Sequence, residues 1–354
     1  MNNELQYLQE INPLVAKVVD GNNLTSEETK KAFTTIFLHD TEGYHLAVLL
    51  AALHAKGETA DELLGLISTY RELATPLEIT VNKDKITDLS GTGGGRFKTI
   101  NVSTAASFVV AAAGYTVGKA AYYGITSPTG SADIFSAFGI DITKLKKEEI
   151  EEALMEVGIA PFFVPFFSPK LANRGKISRK LFGERKLQIR TAFHLTTNVF
   201  SPFPITHRIY GCYSEKYLEV LAQLFIKLGF KRTLTFFAEI GIPEISNVGK
   251  TIVVEQNGNK IKRYILTSEE LGVKEQTKEA IQSGGKEQNI KDFLSIIKGS
   301  KGAKSDLVAI NAGAALYALK DTKSIKEGVI KAKEILMSGE CFFILKKLIN
   351  KLAQ

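Results

Sequence analysis

Apolar side chains return at three- and four-residue steps from Glu4 to about Thr75, as at Leu5, Leu8, Ile11, Leu14 and Val15, a spacing that lines one face of a helix. Thr25-Ser26-Glu27-Glu28 has the spacing of a capping box and predicts a helix start. Gly57 followed by Thr59-Ala60-Asp61-Glu62 predicts a stop and a restart, so this stretch is several short antiparallel helices. The pattern changes past Pro76. LEITVNKDKITDLS alternates apolar with polar residues and is rich in β-branched side chains, which predicts a strand at Ile86 to Leu89. A glycine break at Gly91 to Gly95 and a helix-forming run at Ala105 to Ala113 follow. A second strand is expected at Tyr115 to Lys119, and a second helix from Gly130-Ser131-Ala132-Asp133 to Phe138. Strand, helix, strand, helix at this spacing predicts a parallel sheet with crossover helices.

Ile159 to Phe167 reads as a buried strand leading out of the sheet. Lys170 to Lys186 interleaves Arg174, Lys176, Arg179, Lys180, Arg185 and Lys186 with Leu171, Ile177 and Leu181, the pattern of a solvated amphipathic helix, with an anion-binding role as the alternative. The sheet resumes at Arg208 to Tyr213 and Thr233 to Ala238, separated by a helix over Glu215 to Leu228. Thr251 to Leu266 predicts a hairpin turning at Asn257-Gly258, and Thr267-Ser268-Glu269-Glu270 predicts the start of a further helix in a helical C-terminal region.

Composition narrows the class without naming a reaction. The 354 residues are 44% hydrophobic and 23% charged, as expected of a soluble globular chain with room for two lobes. The net charge of +7 suits an anionic ligand, but its lysines are scattered with no basic stripe carrying interleaved aromatics, so nucleic acid is not an expected partner. Cys212 and Cys341 stand alone, which points to a reducing compartment and no structural zinc. The N-terminus lacks a signal-peptide core and no run nears the roughly 20 apolar residues of a membrane span. A cytoplasmic protein is expected. His39, His45, His54 and His207 have no metal-binding spacing and read as packing or surface residues.

The chemistry concentrates between Asp88 and Gly139. Gly91, Gly93, Gly94 and Gly95 let the backbone bring its N–H groups against an anion, and Asn101, Ser103 and Thr104 follow where a helix begins. A strand, a glycine turn and a helix N-terminus in that order predict a phosphate or pyrophosphate site.

These residues carry a resemblance. Gly91-Thr92-Gly93-Gly94, then Thr99-Ile100-Asn101-Val102-Ser103-Thr104, Lys119, and Gly130 to Asp133 resemble the anthranilate phosphoribosyltransferase family. The likeness extends to Arg190-Thr191-Ala192-Phe193 and the Asn-Gly hairpin. It implies an α/β fold with a mainly parallel central sheet flanked by helices and a separate small all-helical domain. Residues 1–78 would form the helical domain, with 168–200 packing on it, and 79–167 with 201–354 the α/β domain. The resemblance also implies phosphoribosyl pyrophosphate as donor, a small-molecule acceptor, Mg²⁺ and a homodimer. Gly91, Thr92, Gly93, Gly94, Thr99, Asn101, Ser103, Thr104 and Lys119 would then bind the donor, Ser103 and Glu244 the metal. Ala120, Tyr122, Tyr123, Arg185 and His194 would line the acceptor pocket.

The departures are as specific as the matches. The family's GTGGDG reads Gly95-Arg96 at its end, which exchanges a carboxylate for a cation, and its Asp-Glu metal pair falls on Pro243-Glu244. Its K-H-G-N-R reads Lys119-Ala120-Ala121-Tyr122-Tyr123, which removes the polar groups that face anthranilate. His194 stands where the family has asparagine, and the arginine before R-T falls on Glu184 or, with one deletion, on Arg185. An acceptor other than anthranilate is therefore expected, with anthranilate kept as the nearest named substrate. Lys98-Thr99 also resembles the phosphate-binding K-T of pyrimidine nucleoside phosphorylases. A metal-independent phosphorylase and a non-catalytic binding paralogue remain alternatives to the transferase.

Overall fold

The computed structural model describes residues 2–123, 129–163, 167, 169–171, 175, 177, 179–184 and 189–353. The chain divides into two units, Met1–Pro76 with Val164–Pro202, and Leu77–Phe163 with Phe203–Gln354. In the first unit, α1 (Asn2–Val19), α2 (Ser26–His39), α3 (Tyr44–Lys56) and α4 (Ala60–Leu73) form around Leu46, Leu49, Leu63 and Leu66, all fully buried. Both expected helix starts exist. Thr25 N donates to Glu28 Oε2 at 2.8 Å while Glu28 N donates to Thr25 Oγ1 at 3.2 Å, and Thr59 with Glu62 repeats the arrangement before α4. Phe33, Phe37, Tyr70, Phe193 and Phe200 join these helices to the short helix Ala192–Thr196 and the segment after it. Within Lys170 to Lys186 the described residues form a 3₁₀ turn at Pro169–Leu171 and a π turn at Arg179–Glu184, with Leu171 and Ile177 buried and Lys170, Arg179 and Lys180 exposed.

The second unit is built on β1 (Ile86–Gly91), β2 (Thr116–Ala120), β3 (Ile159–Phe162), β4 (His207–Gly211), β5 (Arg232–Ala238), β6 (Thr251–Asn257) and β7 (Lys260–Leu266). These make a seven-stranded sheet in the order β3-β2-β1-β4-β5-β6-β7. The first five strands pair in parallel, whereas β6 and β7 run antiparallel, so the sheet is mixed and mainly parallel, as expected. Helices cover the parallel strands, which accounts for their burial. The open edge, β7, carries Lys260, Lys262 and Arg263, charges that discourage pairing with another strand. Asn257 pairs with Lys260, so the hairpin's two turn residues are Gly258 and Asn259, one residue later than the sequence suggests, because Gly258 supplies the positive φ of 58°.

One predicted helix is absent. Thr267 N and Oγ1 do meet Glu270 Oε2, at 2.8 and 3.0 Å, yet the segment makes a single turn because Gly272 takes a φ of +70° and redirects the chain. The first helix beyond it is Lys278–Ile281. Among the described residues no helix is long and apolar enough to cross a membrane.

His207 opens β4, 3% exposed, with Nδ1 2.9 Å from Thr206 Oγ1 and Nε2 buried without a partner. Burial lowers its pKa to about 4, against an opposing pull from Asp84. The unfolded chain takes up this proton near pH 6.5 and the folded chain does not, so the contribution is complete above that pH and is lost as pH falls toward 4. Between pH 7 and 4.5 the protein is expected to lose about 2 kcal/mol more stability than His207→Gln. Urea unfolding of both at the two pH values checks this, and equal losses would contradict it.

Candidate active site

The glycine loop after β1 is stitched to the two segments beside it. Thr92 N donates to Gly211 O at 2.8 Å, Thr92 Oγ1 accepts from Tyr213 N at 2.8 Å, and Arg96 N donates to Gly241 O at 2.8 Å. Between those anchors Gly93 and Gly94 have φ of 62° and 76°, the left-handed region where a Cβ is penalised. The N–H groups of Gly93 and Gly95 donate to no group among the described residues. The helix α5 (Val102–Ala112) begins shortly after the last of these anchors, with Asn101 at its cap position. Thr104 Oγ1 is buried in its first turn without a partner. Unsatisfied backbone donors, a helix N-terminus and an idle hydroxyl follow one another within Gly93 to Thr104, the groups an anion site uses.

Lys119 lies on β2 and is 3% exposed. Its Nζ donates to Leu89 O at 2.6 Å and to Ser103 Oγ at 3.3 Å. Burial pulls its pKa below the ordinary lysine value, with Asp88 opposing and Arg208 adding to the shift. Those two form their own pair, Arg208 Nη2 to Asp88 Oδ2 at 2.9 Å, with both side chains fully buried and Ser90 Oγ also donating to Asp88. Sequence reasoning missed this pair. Its only signal is an arginine inside an otherwise buried strand.

Glu244 lies on the segment that faces the loop's end, where a Cβ on Gly95 would come 3.0 Å from Pro243 Cδ. Its Oε2 is buried without a hydrogen-bond partner, and burial pushes the carboxyl pKa to about 8, with Lys98 opposing. No cluster of three or more His, Cys, Asp or Glu that could hold a metal occurs among the described residues. Ser103, the other expected metal contact, has its hydroxyl engaged by Lys119.

The expected acceptor residues divide. Ala120 and Ala121 are buried and offer no polar side chain. Tyr122 N donates to Ser131 Oγ at 3.2 Å and its ring meets Phe163 edge-on, centroids 6.4 Å apart. Tyr123 is 40% exposed, its hydroxyl 3.4 Å from Ser136 Oγ. Gly130 N donates to Asp133 Oδ2, so the Gly130 to Asp133 signature starts its helix as expected, at Ser131–Ser136. His194 belongs to the helical unit, where its Nδ1 accepts from Thr191 N at 3.1 Å. Arg185 lies outside the described residues.

The chain thus joins a mainly parallel sheet, with a glycine loop after β1 and a buried lysine on β2, to a helical bundle. Residues 83–342 match the glycosyl transferase family a/b domain and residues 12–74 the helical bundle domain of that family. Anthranilate phosphoribosyltransferase of Petrotoga mobilis is 34% identical over 339 residues, covering 96% of each chain, and that of Haloarcula marismortui is 33% identical, covering 92% of this chain and 95% of its own. The crystal structure of anthranilate phosphoribosyltransferase from Thermus thermophilus superposes with a TM-score of 0.86 at 33% identity, covering 96% of this chain and 99% of that one. The Saccharomyces cerevisiae enzyme, in complex with PRPP and Mg, shares the fold at 21% identity and a TM-score of 0.84. The chain belongs to the anthranilate phosphoribosyltransferase family and is an enzyme of the phosphoribosyltransferase type.

Proposed function

We propose that this enzyme transfers the phosphoribosyl group of phosphoribosyl pyrophosphate to an aromatic amine or related acceptor other than anthranilate, releasing pyrophosphate. The observation that carries the donor half is the glycine loop with idle N–H groups at Gly93 and Gly95, between strand β1 and helix α5, whose Leu89 O and Ser103 Oγ both accept from buried Lys119. Gly91, Thr92, Gly93, Gly94, Thr99, Asn101, Ser103 and Thr104 would surround the diphosphate and ribose phosphate. In the reaction the bond from the ribose carbon to the pyrophosphate oxygen breaks, a nitrogen–carbon bond forms, and the amine loses a proton. Charge collects on the leaving pyrophosphate, where backbone donors and the Lys119 ammonium in a water-poor site are most effective.

The orphaned Glu244 Oε2 fits one Mg²⁺, an ion commonly held by one or two carboxylates plus substrate phosphates. Bound there, Mg²⁺ would neutralise part of the leaving-group charge. Supporting the acceptor half, the side chains of Ala120 and Ala121 offer no donor or acceptor and Tyr122 and Tyr123 provide aromatic surface, whereas a site made for a polar acceptor depends on such partners.

Pyrophosphate release from phosphoribosyl pyrophosphate with Mg²⁺ and a panel of aromatic amines tests this. The expected result is release with at least one apolar aromatic amine at about 100-fold or more the rate with anthranilate, the discrimination available to a site lacking the partners of a polar group. Efficient turnover of anthranilate would overturn the acceptor assignment. Free base produced from a nucleoside and inorganic phosphate without metal, with the panel inert, would replace the transferase by the phosphorylase.

A further inference from the structure

Asn289 is 3% exposed, and both of its side-chain polar atoms serve one residue of the loop. Asn101 N donates to Asn289 Oδ1 at 3.2 Å, and Asn289 Nδ2 donates to Asn101 Oδ1 at 2.8 Å. Chemistry settles the orientation of both amides. A backbone N–H can only donate, so it selects Asn289 Oδ1; the Nδ2 that is left can only donate, so it selects Asn101 Oδ1. The Asn101 NH₂ group is thereby turned away from Asn289, with both protons available. Asn101 stands at the cap position of α5 but makes no side-chain bond to its first turn, its Oδ1 being directed to Asn289 Nδ2 instead.

The segment that carries Asn289 is itself fastened to the loop. Ser283 N donates to Lys98 O at 2.9 Å, Gln282 bridges to Thr99, and Lys286 Nζ meets Asp133 Oδ1 at 2.6 Å. All of these residues lie in the α/β unit. An isolated bridge therefore ties Gln282–Ser283 to Lys98–Thr99 at the loop's exit, and Asn289 reaches Asn101 from the first turns of the helix Lys286–Ile297.

We propose that Asn289 is a positioning residue for the anion site: it fixes the Asn101 amide so that NH₂, and not C=O, faces the bound phosphate. This rests on reading Gly91 to Thr104 as the diphosphate site of phosphoribosyl pyrophosphate. A wrongly turned Asn101 would present an oxygen to an anion. Correctly turned, it adds one charge-assisted hydrogen bond.

Asn289→Asp keeps the shape but removes the donor, so Asn101 gains by flipping to donate toward position 289. Calorimetric titration with phosphoribosyl pyrophosphate and Mg²⁺ is expected to show ~10- to 100-fold weaker binding for Asn289→Asp, the value of one hydrogen bond to a charged group. In an Asn101→Ala background the same change is expected to cost less than about 3-fold, since nothing remains to flip. Equal losses in both backgrounds would mean direct charge repulsion and would overturn the proposal, as would wild-type affinity in the single variant. If Asn289→Asp does not fold, Asn289→Ala carries the same cycle with the same two criteria. A wild-type protein that gives no heat defeats the donor reading itself, and the proposal with it, a result distinct from either failure of the cycle.

Discussion

Lys119→Met is expected to weaken phosphoribosyl pyrophosphate binding by about 10- to 100-fold while leaving thermal stability unchanged or higher, the value of one hydrogen bond to a charged group. The ammonium has three donors. Two are engaged, at Leu89 O and Ser103 Oγ, which leaves one for the phosphates. Because the lysine is buried, its charge is screened less by solvent and salt than a surface lysine's would be. The same burial makes the lysine costly to the folded state, as its depressed pKa records. Its removal strands no charge, since Asp88 is paired with Arg208 whether or not the lysine is present. Calorimetry and a thermal melt on one sample separate the two effects. An unchanged affinity would contradict the assigned role, and a large loss of stability would show that Lys119 is a structural residue.

Gly211→Ala is expected to destabilise the protein by about 3 kcal/mol or more, the scale of overpacking between groups that cannot repack. A Cβ at this position would lie 1.7 Å from Pro243 O and 2.5 Å from Pro243 C. Both partners are backbone, so no side chain can rotate out of the way. Either β4 or the Gly241 to Glu244 segment must shift. Gly211 O also holds Thr92 N, and the displaced segment carries Glu244, so the loop and the proposed Mg²⁺ ligand move together. Urea unfolding measures the stability loss, and donor titration with Mg²⁺ measures the accompanying loss of binding. A cost below about 1 kcal/mol would contradict the close approach.

What could be read from the residues in advance follows the range of the interactions. The helix starts at Thr25 and Thr59 and the sequence strand, glycine loop, helix are made by neighbours in the chain, so their patterns are visible locally. At Thr267 the local capping signal is real and its bonds form, but Gly272 outweighs it within one turn. The buried pair Asp88–Arg208 joins residues 120 apart, and the clamp Asn101–Asn289 joins residues 188 apart. No periodicity or spacing encodes such contacts; they exist only once the sheet order puts β1 beside β4 and the Gln282 to Asn289 segment beside the loop. Glu244 was legible by resemblance, whereas its buried, partnerless oxygen was not.

The central claim is that the glycine loop after β1, together with Lys119, holds phosphoribosyl pyrophosphate. Titrating the donor into the folded wild-type protein, with and without Mg²⁺, tests it most directly. The account predicts saturable heat at one site per chain, with tighter binding when Mg²⁺ is present. No heat at millimolar donor in either condition, from a protein that melts cooperatively, would contradict it.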